Sequence, residues 1–239
     1  CDHADSIIPV LDAVESTTYP SWFTTTLMAR RILAVATTGV VSTIFPDPSP
    51  PHSRTPAGVE GLSIPMNEYI ADCEKFLSED ESDGGEGNPI ILALYVGTTF
   101  RNIAAGSNIS LTVDWWEHVD STEPVFPGFP LSAAALPRVM MFGHFEHLPK
   151  SVPKEMEECF WNAHPDAKAW APGRKWSPHA GYWGRMVVEQ VYWVGGFGNI
   201  ARIGWLNVTE WKGIREDKSL PGIGDGRGWG DVRLPGEKE

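Results

Sequence analysis

The segment that most narrows the possible folds runs from residue 155 to 211: EMEECFWNAHPDAKAWAPGRKWSPHAGYWGRMVVEQVYWVGGFGNIARIGWLNVTEW. It predicts a short helix, a proline-rich link and two aromatic strands joined by a glycine turn. Glu155, Glu157 and Glu158 sit early in the helix, where carboxylates favour the positive end of the dipole. Met156 and Phe160 are four apart and share a face. Pro165 disfavours helical geometry at His164 and so sets the end of the helix. Residues 186–194, MVVEQVYWV, are β-branched and aromatic, the types that suit a buried pleated surface. Gly195-Gly196 and Gly198-Asn199 punctuate a turn. A second run over 200–208 completes an antiparallel hairpin. Its alternation breaks, since Arg202 and Leu206 fall on one face, and Gly204 is placed to mark a bulge.

The rest of the chain divides by composition. Residues 1–20 read as an irregular arm with Pro9 and Pro20. Residues 24–35 form an amphipathic helix, with Met28, Ile32 and Val35 on one face and Thr24 as its cap. A strand follows over 39–45. The loop 46–58, PDPSPPHSRTPAG, holds too much proline for regular structure. Propensity allows a helix over 61–71, while Pro65 argues for a strand there. Residues 78–88, SEDESDGGEGN, form an acidic solvated loop. Strands are predicted at 89–97 and 109–116, joined by a short helical or looped segment, and another at 138–148. Residues 215–239 are glycine, proline and charge, a composition that rarely packs a core of its own.

These pieces carry a family resemblance. CFWNAHPDAKAW, WGRMVVEQVYWVGGFGN and IGWLNVTEW resemble the C-terminal half of CREG-like proteins, particularly their fungal members. Ala29 to Leu33 followed by Gly39 to Thr43 resembles that family's opening helix and first strand. MNEYIADC (66–73), NPIILALYVGTTFRNIAAGSNISLTVDW (88–115) and ALPRVMMFGHFEHL (135–148) fit the next strands. The resemblance covers residues 22 to 214 with gaps. It implies an α+β fold, mainly β with flanking helices: an antiparallel split β-barrel of the FMN-binding, pyridoxamine-phosphate-oxidase-like kind. It also implies a homodimer with small-molecule pockets at the subunit interface, one domain over 21–214, an N-terminal arm (1–20) and a C-terminal tail (215–239). It tips 61–71 towards a strand.

Composition bounds the function classes. The net charge of −12 argues against nucleic acid and anionic membrane surfaces as partners, because both need Lys/Arg patches. No apolar run approaches the ~20 residues of a membrane span. Eleven tryptophans suit an aromatic core, an interface or a pocket wall. Secretion is an expectation of the resemblance, and Cys1 at the first position points to processing or trimming. Asn108 and Asn207 head N-x-S/T sequons and are candidate N-glycan sites. In a secreted chain the expected bridge is Cys73–Cys159, with Cys1 free or paired elsewhere. Three unpaired thiols is the other arrangement the count allows.

Two groups of residues carry chemistry. Thr98, Thr99 and Arg101 connect two strands. In split-barrel flavoproteins the corresponding connection serves the flavin phosphate, and hydroxyls with a forked guanidinium suit phosphate oxygens. Ser42 and Thr43 are weaker candidates for the same FMN pocket. The second group, His179, Tyr182, Trp183 and Arg185, puts an imidazole, a phenol, an indole and a cation within seven positions. In the family this region lies near the pocket mouth, so His179, Tyr182 and Arg185 are the catalytic candidates and Trp183 a ring-stacking one. No metal site is expected: His144 and His147 lie three apart on a strand and point to opposite faces. Trp115, Trp116 and His118 end a strand and suit a core or interface. Three functions remain open: an FMN-dependent oxidoreductase, a cofactor-free isomerase or cyclase using His179 or His144 on a small hydrophobic metabolite, and a secreted glycoprotein that binds a ligand or partner without catalysis.

Overall fold

The computed structural model describes residues 20–51, 54–78, 85–124, 128, 130–198 and 201–237. The N-terminal arm before Pro20, Cys1, the centre of the acidic loop and the Asn199-Ile200 turn lie outside them. The elements are α1 (Trp22–Val35), β1 (Thr38–Ile44), β2 (Ser63–Ala71), β3 (Ile90–Leu94), α2 (Thr98–Ala104), β4 (Ile109–Asp114), β5 (Arg138–His147), α3 (Lys154–Ala163), β6 (Gly181–Gly195), β7 (Arg202–Trp205) and α4 (Val208–Gly213). Every strand pairing is antiparallel. The order β3-β2-β1-β4-β5-β6 closes through a β3–β6 pairing into a six-stranded barrel, and β7 extends the far half of β6.

Strand periodicity sorts side chains across the barrel wall. Val41, Leu111, Met141, Val191 and Trp193 point inward, are at most 1% exposed and form the main core with α1. α1 is buried on most of its surface, so its two interior threonines need acceptors. Thr25 and Thr26 donate to the Ser21 and Trp22 carbonyls one turn back, each at 3.0 Å. β3 is buried on both faces: Ile91 and Ala93 join the inner core, while Ile90 and Leu92 join a second core beneath α3 with Met156, Phe160 and Trp183. This accounts for its unbroken apolar run, which carries no alternation to read.

Several boundaries differ from the sequence reading. The cap of α1 is Ser21, whose hydroxyl accepts from the Thr24 amide at 3.0 Å, so the helix starts two residues early and Thr24 is inside it. Val35 ends the helix at 39% exposure and leaves the apolar face to Met28 and Ile32. Residues 63–71 are a strand. The register shift lies not at Gly204 but between Phe142 and Gly143, opposite Val188 to Gln190. Gly204 pairs regularly with Trp193; its lack of a side chain admits the Trp22 ring, which a Cβ would meet at 2.9 Å. Arg202 lies over that ring at 4.0 Å and donates to the Pro20 carbonyl.

The C-terminal segment packs against the body despite its composition. Val232 and Leu234 enter the main core, and Glu237 receives a two-pronged contact from Arg31, with Nη2 at 2.6 Å and Nε at 3.0 Å. A disulfide joins Cys73, just after β2, to Cys159 on α3, with the Cα atoms 5.9 Å apart. Among the described residues no helix is long and apolar enough to cross a membrane.

Candidate functional site

The turn after β3 leads directly into α2, whose N-terminal residues Thr98, Thr99 and Arg101 were singled out from sequence. The structure separates their roles. Thr99 is 1% exposed and faces inward beside Glu68. Thr98 and Arg101 instead line a cavity of about 770 Å³ between α2 and the proline-rich loop. That volume falls within the range of small-molecule sites. Phe45, Pro46, Pro56, Val59 and Ile64 give it apolar walls, and Arg54 reaches it from the loop. Among the described residues no aspartate or glutamate lines it. Neither Arg54 nor Arg101 makes an ion pair among the described residues. In a chain of net charge −12 this is a local reversal of sign.

Thr43 and Ser42 lie on opposite faces of β1. Thr43 points inward, is 1% exposed, and its hydroxyl accepts from Asn102 Nδ2 at 3.0 Å, which fixes α2 to β1. Ser42 is half-buried on the outer face, paired with Pro65 and Ser110. Neither lines the cavity. Sequence reasoning missed Arg54, which nothing in its Pro/Ser-rich surroundings marks, and Glu68. The Glu68 carboxyl faces the barrel interior, and burial raises its pKa while the Thr99 hydroxyl beside it pulls the other way.

The group His179, Tyr182, Trp183 and Arg185 is dispersed. Tyr182 and Trp183 are neighbours on β6 and therefore face opposite sides of the wall. Tyr182, half-buried against the main core, joins an aromatic set that reaches the surface: His147 stacks on it at 4.6 Å with the planes 11° apart, and the exposed Tyr95 lies at 4.5 Å. Burial, then the Tyr95 charge, pushes its phenol up to about 12, so it stays protonated at neutral pH. Trp183 is 2% exposed in the second core against Phe160, at 5.0 Å. Arg185 is held by two carboxylates, Nη1 donating to Glu74 and Nε to Glu146, each at 2.8 Å. Glu74 in turn accepts from the Glu86 and Asn88 amides and from Asn88 Nδ2 at 2.7 Å. Burial lowers the Arg185 pKa, but the bond to Glu146 and the Glu74 charge outweigh it and hold the guanidinium above its usual value. His179 is exposed on the turn before β6, and the contacts of that turn run between Ser177 and the His179 backbone.

On β5 the two histidines diverge: His147 lies against Tyr182, whereas His144 pairs with Glu189 at 3.0 Å on the outer face. Among the described residues no group of three or more His, Cys, Asp or Glu side chains could hold a metal ion. Trp115 is 8% exposed in the main core and stacks on His118 at 3.9 Å. The outer face of β5, β6 and β7 carries an aromatic patch: Phe142 lies 5.6 Å and Tyr192 5.0 Å from Trp205, which is 59% exposed.

Comparison with known proteins agrees with this architecture. A heme binding protein from Mycobacterium smegmatis superposes with a TM-score of 0.53 at 17% identity, over 83% of this chain and 62% of that one. The chain thus spans less than two thirds of that protein's length. A protein related to general stress protein 26, of the pyridoxinephosphate oxidase family, from Clostridium acetobutylicum aligns over 79% of this chain and 98% of its own. Its TM-score is 0.44 and its identity 9%, too distant to carry weight. No curated protein matches the sequence. The family model for the CREG β-barrel matches residues 24–212, from inside α1 to inside α4, and the chain belongs to that family.

Proposed function

We propose that this protein binds a small molecule with an anionic, phosphate-like end and a flat apolar body, of the flavin mononucleotide type, in the cavity between α2 and the proline-rich loop. The observation that carries this reading is the presence of both Arg54 and Arg101 at one cavity with apolar walls, where among the described residues neither has an ion-pair partner and no acidic residue lines the cavity. Arg101, Arg54 and the Thr98 hydroxyl would hold the phosphate, since a forked guanidinium binds such oxygens two at a time. Phe45, Pro46, Val59 and Ile64 would exclude water from the apolar body. A bound flavin would supply electron and hydride transfer, which makes oxidoreduction the catalytic form of the proposal. Tyr182, protonated at neutral pH, offers a hydrogen-bond donor beside His147 and Tyr95.

The same reading takes the protein to be a secreted homodimer. The Cys73–Cys159 bridge suits an oxidising compartment. Asn108 and Asn207 are exposed. Asn207 uses its Oδ1 to accept from the Thr209 amide at 2.9 Å, which leaves its side-chain nitrogen to carry a glycan. The patch of Phe142, Tyr192, Ile203 and Trp205 is the surface that a second copy would cover.

The test is a visible absorbance spectrum of the purified protein, recorded before and after adding FMN and removing the excess. A flavin band that stays with the protein supports the reading. A protein that stays colourless at stoichiometric FMN overturns the flavin identity and returns the cofactor-free and non-catalytic readings to the front.

A further inference from the structure

The connection from the 3-10 turn Pro165–Trp170 to β6 reverses the sign of the chain's charge. Residues 167–188 hold Lys168, Arg174, Lys175 and Arg185 but no aspartate or glutamate, in a chain of net charge −12. Arg185 is bound by two carboxylates. Lys168, Arg174 and Lys175 are exposed and make no ion pair among the described residues. Beside them stands Trp176, 90% exposed, whereas no other large apolar side chain among the described residues exceeds 59%. A ring held in water adds nothing to the core, and tryptophan is ordinarily well buried. The loop nevertheless has a defined shape. The Arg174 amide donates to the Ala171 carbonyl and the Ser177 amide to the Arg174 carbonyl, each at 3.2 Å. The Arg174 guanidinium donates to the Lys168 carbonyl, and Gly173 turns the chain with a φ of +79°. At the loop's end the Tyr95 amide donates to the Ala180 carbonyl at 3.2 Å, which sets Tyr95 and Val96, both more than half exposed, at its base.

A protruding indole among cations, with two apolar side chains at its base, complements a surface that is anionic outside and apolar just beneath. A protein partner would have to offer a pocket matched to the ring. A lipid bilayer needs no such pocket, and tryptophan settles at the boundary between headgroups and acyl chains. Lysine and arginine beside it gain from anionic headgroups. The whole-chain charge argues against such surfaces only on average. Exposed charges beyond about 8–10 Å are largely screened in ordinary salt, so the groups beside the loop govern contact. We propose that the loop 171–180 docks this protein peripherally on an anionic lipid surface. Trp176 enters the headgroup boundary, and Lys168, Arg174 and Lys175 lie against the headgroups. The contact is independent of the α2 cavity and of what that cavity binds.

Vesicle co-sedimentation of the full chain tests this, with phosphatidylcholine vesicles compared with vesicles of phosphatidylcholine and phosphatidylserine. The anionic vesicles are expected to bind at least about fivefold more protein, and the difference to fade as salt rises to about 0.5 M. Trp176→Ala and the double variant Lys168→Gln/Lys175→Gln are each expected to cut that binding about threefold or more. All three positions are exposed, so the variants leave the fold intact, and an unchanged melting temperature checks this. Absence of binding at about 1 mM lipid overturns the proposal, as does equal binding to both vesicle types. Variants that bind like the parent overturn it as well. Retention on a sulfated polysaccharide without vesicle binding also overturns it and makes the loop a site for a soluble polyanion.

Discussion

Gly87 shows how one residue sets a local arrangement. Its φ is +79°, and a Cβ placed on it would lie 1.4 Å from Arg30 Nη1 and 2.9 Å from Trp211 Nε1. Only a residue without a side chain lets the guanidinium reach the backbone there. Gly87→Ala is expected to lower stability by about 1–3 kcal/mol in urea unfolding. Glu68 acts in the opposite sense. Its folded pKa is raised by burial, so the stability it contributes is present while it is protonated and is lost as pH rises through that value. Glu68→Gln should therefore raise the melting temperature at pH 7, with the gain vanishing near pH 4. A variant no more stable than the parent at pH 7 would contradict the buried placement. At this scale the sequence revealed residue types but not partners. Thr98 and Arg101 stand close together in the chain and could be singled out there, and both line the α2 cavity. Arg54 could not be, because 47 positions separate it from Arg101 and only the folded loop brings the two together. His179, Tyr182, Trp183 and Arg185 misled for the converse reason: strand alternation sends neighbours in sequence to opposite faces.

Elements were more legible where one face is buried and the other wet. β1 alternates half-buried and buried positions from Thr38 to Thr43, and β4 does so along its whole length; both were placed to within two residues. β3 was overextended, since its flanking Tyr95 and Val96 are apolar but 59% and 57% exposed. The bulge on β5 and β6 was invisible, because Gly143 is needed only against its cross-strand partner. A Cβ there would lie 1.9 Å from the Val187 carbonyl oxygen. Gly143→Ala is expected to cost about 1–3 kcal/mol and to broaden the amide spectrum along both strands. The bridge between the end of β2 and α3 closes a separation of 86 residues. Replacing Cys73 and Cys159 together with serine should lower unfolding free energy by about 2–5 kcal/mol. A loss below that range, measured by denaturant titration, would mean that the second core holds α3 without the bridge.

At the scale of the whole molecule, the main core owes part of its packing to the C-terminal segment. Its composition is one that rarely packs a core of its own, and it instead joins the body's core, with Val232 and Leu234 at 7% and 2% exposure. Burial alone raises the Glu237 carboxyl, but the Arg31 hydrogen bonds, the Leu234 amide and nearby charge outweigh it and hold its pKa below the usual carboxylate range. Its contribution is thus complete above the ordinary carboxylate pKa and fades as pH falls through the lower folded value. Deleting residues 221–239 should lower the melting temperature at pH 7 and flatten its dependence on acid. A truncated chain that melts like the parent would contradict this packing. The surface patch makes a parallel prediction: Phe142→Glu with Trp205→Glu should shift the sedimentation of a dimer to that of a monomer, while a chain already monomeric would remove the dimer.

On the proposed reading, Arg54 and Arg101 make the α2 cavity a site for a phosphate-bearing ligand with an apolar body. Parallel calorimetric titrations of FMN and riboflavin, into the parent protein and into Arg54→Ala/Arg101→Ala, test it most directly. FMN is expected to bind at least about tenfold more tightly than riboflavin, and that preference to collapse in the variant. Equal affinities in the parent protein, or a preference that survives the loss of both arginines, would contradict it.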